Sequence, residues 1–115
     1  MEDKLRAVAE WAGLQIRSYS IDIMGDREYF DLDSETIRAW LLSPPGTVAI
    51  LDAFLRDGYM KWSWVWSLIP QAYNVDLYHM DHDNHPSING QGESLPEAVL
   101  KAAIKYWEDK PCDQT

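Results

Sequence analysis

The chain has 115 residues, enough for one domain that buries about two thirds of its unfolded surface without disulfide or metal. Nineteen acidic residues against ten basic ones give a formal charge of -9, which disfavours direct binding of nucleic acid or anionic lipid and favours basic partners. No window approaches the roughly 18 apolar residues needed to span a bilayer, and the acid-bearing start MEDKLRAVAEWAG does not read as a signal peptide.

The lone cysteine, Cys112, excludes an intramolecular disulfide and suits a reducing cytoplasm. It falls in a polar tail, 111–115, behind a single domain, 1–110, that contains no repeat and no linker.

Asp3 to Ala12 predicts a first helix with Leu5, Val8, Ala9 and Ala12 on one face and Gly13 at its C-terminal stop. Ile16, Tyr19, Ile21 and Ile23 then suit a short strand ended by Gly25 and Asp26. The acid-rich run from Asp22 to Glu35 reads as a solvated loop, in which Asp31 or Asp33 with Ser34 caps a short helix over ETIRAWLL. Pro44 and Pro45 break that helix. Ser43 caps the next, expected from Gly46 to Asp57, with Val48, Leu51, Phe54 and Leu55 as its buried stripe and Gly58 as its stop.

From Tyr59 the apolar period changes to two. Met60, Trp62, Trp64 and Trp66 fall on one face and Lys61, Ser63 and Val65 on the other, which predicts a strand lying beneath a helix. After a turn at Pro70 and Gln71, Tyr73 to Met80 forms a second strand with Tyr73, Val75, Leu77 and His79 on one side. Ser87 to Gly92 supplies a third strand, although Asn89-Gly90 also suits a tight turn. The last helix has the most explicit start: Ser94 and Glu97 form a capping box around Pro96, and Ala98, Ala102 and Ala103 allow close packing. These elements predict an α+β fold, an antiparallel sheet of three or four strands with helices packed on its faces in a layered α/β/α sandwich.

The order of these segments, a helix ending in AEWAGLQI, the helix TVAILDAFL, the aromatic strands and then GESLPEAVLKAAIKYW, resembles the phage ABA sandwich proteins. That resemblance implies an antiparallel sheet with helices on both faces and a phage or prophage origin, and it brings no catalytic residues. A strand followed by G-x-S-x-x-E-A also looks like antitoxins of the HicB type, whose proline-glycine-cysteine stretch in the first hairpin is missing here.

Three features carry candidate chemistry. His79, His82 and His85, with Asp81 and Asp83 between them, are the residue types that bind zinc or nickel, but at a hairpin tip their spacing fixes no geometry, and a solvated turn is the simpler reading. Trp62, Trp64 and Trp66 are the residue type that stacks on single-stranded bases. With only Lys61 beside them they read as core, and any ring left exposed points to a protein interface.

The third feature is the acidic set Asp22, Asp26, Glu28, Asp31, Asp33 and Glu35, with Asp76, Asp81 and Asp83 as a second patch. Spread over a rigid surface, such carboxylates imitate phosphates and meet the nucleic-acid channel of a basic partner. No nucleophile, acid pair or phosphate loop completes a mechanism, so the chain reads as a non-enzymatic binding protein without a cofactor. Its most concrete form is a phage or prophage inhibitor, anti-CRISPR-like, of a host nucleic-acid-handling defence complex. The alternatives are a structural phage protein, a metal-binding module and an antitoxin-like partner. The aromatic strand is compatible with a monomer or a homodimer.

Overall fold

The computed structural model describes residues 2–68, 71–81 and 83–108. Along them run α1 (Glu2–Trp11), β1 (Arg17–Ile21), β2 (Arg27–Asp31), α2 (Ser34–Leu41), α3 (Pro44–Arg56), β3 (Tyr59–Leu68), β4 (Gln71–His79), β5 (Ile88–Gly92) and α4 (Leu95–Glu108). The fold is α+β, as the sequence predicts. Its antiparallel sheets are a three-stranded one in the order β3-β4-β5 and a separate hairpin, β1-β2. The predicted tail, Cys112 and the turn residue Pro70 lie outside the described residues.

Local chemistry sets the helix ends. After α1 the chain takes a left-handed residue at Gly13, φ +103°, and the Leu14 amide closes back on the Ala9 carbonyl at 2.9 Å. Asp33 caps α2 by accepting the Thr36 amide at 2.7 Å, and Ser43 caps α3 by accepting from Gly46 at 3.3 Å. Pro44 and Pro45 fit the first turn of α3, where their missing amides have no partner to lose, so the helix starts two residues before the predicted Gly46.

The buried side of α3 differs from the predicted stripe. Gly46, Thr47, Ile50, Ala53 and Phe54 are buried, whereas Val48 and Leu55 are 59% and 51% exposed. The crossing with α2 explains the rotation: a Cβ on Gly46 would stand 1.9 Å from the Trp40 carbonyl oxygen, so backbone meets backbone there and turns that side inward.

Helix α4 organises the core. It lies so close over β5 that a Cβ on Gly90 would stand 2.1 Å from the Ala98 carbonyl oxygen, and only glycine facing small residues permits this approach. Asn89 and Gly90 are therefore strand residues and not a turn. In register Trp64 lies opposite Val75 and Val75 opposite Gly90, so the three indoles share the sheet face on which α4 packs. Val75 and Leu77 are sealed beneath that helix. Trp62, Trp64 and Trp66, expected as core, remain 41%, 49% and 43% exposed, because α4 lies over β4 and β5 while β3 extends past it as the edge. A bulge between Tyr59 and Lys61 sends Tyr59 into the core and leaves Met60 outside.

Helices α1 and α3 pack on α4, and a polar clamp joins all three. Asp57 accepts from the Trp11 indole at 3.0 Å and from the Tyr106 hydroxyl at 2.7 Å, while Arg56 donates to the Trp11 carbonyl at 2.7 Å. Among the described residues no helix is long and apolar enough to cross a membrane.

Candidate functional site

The feature that the core does not explain is the β1-β2 hairpin. Its register pairs Arg17 with Asp31 and Ile21 with Arg27, so the run expected to be a solvated loop contains a strand. The turn is made locally: one oxygen of Asp22 accepts the amides of Met24 at 2.8 Å and Asp26 at 2.9 Å, and Gly25 supplies the positive φ.

At its base the hairpin is fixed to the body by the Leu32 amide on the Ile16 carbonyl and by Arg6, which donates to the Leu32 carbonyl at 3.2 Å and faces Asp31 at 3.9 Å. Beyond that base it stands free of the core. Ile21 is 58% exposed, Ile23 fully exposed and Met24 81%, with Tyr29 at 60% and Phe30 at 53%. Tyr29 and Phe30 are neighbours on one strand and so point to opposite faces of the ribbon, which means that both faces carry apolar surface. Such a patch on a projecting arm is the signature of an interaction site.

The predicted acids divide by what they already do. Asp31 is held by Arg17 at 2.9 Å, and that hydrogen bond keeps its carboxyl below the usual carboxylate range. Asp33 is lowered by hydrogen bonds from Thr36 as the α2 cap, and Asp81 by the Asn84 side chain at 2.9 Å. Asp76 accepts from Asn89 at 3.0 Å on the sheet face away from α4.

The carboxylates left to meet a partner on the hairpin are Asp26 at its tip and Glu28 on β2, together with the second oxygen of Asp22, all on exposed residues. Glu35 is exposed in the first turn of α2, and Asp83 is exposed beyond β4. Glu28 and Asp31 fall on opposite faces of the ribbon, so the acids from 22 to 35 do not line one surface.

The two described histidines of the set, His79 and His85, are stacked on each other and not placed with a third ligand. The His79 and His85 rings stack at 3.9 Å, and both nitrogens of His79 are engaged: Nδ1 accepts the Asp81 amide at 2.9 Å, which leaves Nε2 to donate to the Asp57 carbonyl at 3.1 Å. A metal at His79 would have to displace one of these two bonds. His82 lies outside the described residues, and among those described no three His, Cys, Asp or Glu side chains are placed to hold an ion.

Sequence reasoning singled out the acids of the hairpin and missed its apolar partners, because Ile21, Ile23, Tyr29 and Phe30 looked like ordinary strand or loop residues. Their signal was the spread of large apolar residues through an acidic run. No family model, curated protein or solved structure matches the chain.

Proposed function

We propose that this chain is a non-enzymatic binding protein that grips a protein partner through the β1-β2 hairpin. One observation carries the reading: the hairpin exposes Ile21, Ile23, Met24, Tyr29 and Phe30 while its tip holds Asp22 and Asp26. Apolar side chains supply the buried contact, and the carboxylates select a basic rim and speed the encounter. The partner with this chemistry is a host protein or nucleoprotein complex that presents an apolar crevice edged by Lys and Arg, and the nucleic-acid channel of a defence complex is the concrete case. In that setting the protein acts as a phage or prophage inhibitor in the host cytoplasm, and it blocks the channel with a short acidic ribbon rather than with an extended phosphate-like surface.

The test is a tagged pull-down from nuclease-treated bacterial lysate, run beside the double variant I23S/M24S and the charge variant D26K/E28K, which leaves the Asp22 turn intact. A stoichiometric complex that weakens in the first variant and becomes less salt-sensitive in the second supports the proposal. Equal capture by all three chains refutes it.

A further inference from the structure

We infer that the free edge of β3 is the contact between two copies of this chain, which meet as antiparallel strands around Trp64. This inference stands on a different surface from the hairpin and does not depend on the identity of any partner.

Strand β3 runs for ten residues, YMKWSWVWSL, and among the described residues it pairs with β4 along one edge only. Natural edge strands are protected by charges, prolines or short length. This one has no proline and a single charge, Lys61 near its start.

Three observations select a second copy as the occupant. The first is symmetry. In Trp62-Ser63-Trp64-Val65-Trp66 the indoles are spaced evenly about Trp64, so a two-fold axis there sets Trp62 opposite the copy's Trp66 and Trp64 opposite itself. All six rings then lie on one face as aromatic cross-strand pairs. Lys61 falls opposite Ser67, and no like charges meet.

The second observation is charge. A chain of net charge -9 resists its own copy almost everywhere, yet residues 58–75 contain no Asp or Glu, and β3 lies within that stretch. The third is area. The indoles are left 41–49% exposed at the margin of α4, and their side-chain nitrogens make no hydrogen bond among the described residues. With roughly half of the ~150–250 Å² of each aromatic side chain still open, six of them contribute on the order of 600 Å², and Val65, Leu68 and the two strand backbones bring the total toward the ~1,000 Å² that a specific contact needs.

Sedimentation equilibrium over a range of concentrations tests this directly. The wild-type chain should run at twice 13.3 kDa, and W64K, which sets two ammonium groups against each other at the axis, should run as a monomer with its melting transition retained. A second pair of variants checks the register without touching the aromatic face. S67K opposes Lys61 of the copy and should weaken the dimer several-fold, whereas S67E opposes it with an acid and should tighten the dimer. A monomer at every concentration overturns the inference. A dimer that survives W64K but is lost in F30S overturns it too, by showing that the hairpin makes the contact. Equal weakening by S67K and S67E overturns the two-fold register.

Discussion

Asp57 is a single exposed residue at the end of α3, yet its carboxylate ties Trp11 of α1 to Tyr106 of α4. Replacing it with Ala strands both donors, and D57A should lower unfolding free energy by about 1–3 kcal/mol in urea denaturation. Burial, then the hydrogen bond and negative charge of Asp57, pushes the Tyr106 phenol above its ordinary value. Ionisation is therefore easier in the unfolded chain, and the corresponding stability is present below about pH 10 and declines as pH rises above it. In Y106F that decline should be shallower, as pH-dependent melting will show. A steeper or unchanged decline would remove Tyr106 as its source. The caps at Asp33, Ser43 and Gly13 were legible in the sequence because each acts within a few residues. The role of Asp57 was not, since its partners lie 46 and 49 positions away.

Among the elements, α4 and β5 depend most on close approach. Because a Cβ at Gly90 would enter the α4 backbone, G90A should cost at least about 2 kcal/mol by forcing helix and strand apart, measurable as a lowered denaturation midpoint. The hairpin should behave in the opposite way. Tyr29 and Phe30 are exposed, so Y29S/F30S should change stability by no more than about 0.5 kcal/mol, and a large loss would mean that the ribbon packs on the body. The helices and the three strands of the main sheet were readable because burial on one side writes a period into the sequence. Strand β2 wrote none, since every one of its residues is exposed. Whether the tryptophans are covered depends on where α4 lies across the sheet, and no local pattern records that position.

As a whole the molecule is long for its mass. Its extents are 58 × 33 × 21 Å and its radius of gyration is 16.4 Å, against roughly 13 Å for a compact chain of about this length. The core gathers residues from all four helices and the main sheet, and among the side chains described it takes none from β1 or β2. A brief digestion with thermolysin should therefore cut first between residues 21 and 30 and leave a folded body. A first cut inside α4 would contradict this picture. The division also separates inheritance from novelty. Within residues 21–30 folding asks for Asp22 and Gly25 to make the turn, while Ile21, Ile23, Met24, Asp26, Glu28 and Phe30 lie outside the core, so these positions form a cassette that can be rewritten, and a new specificity can arise there without the domain having to learn to fold again.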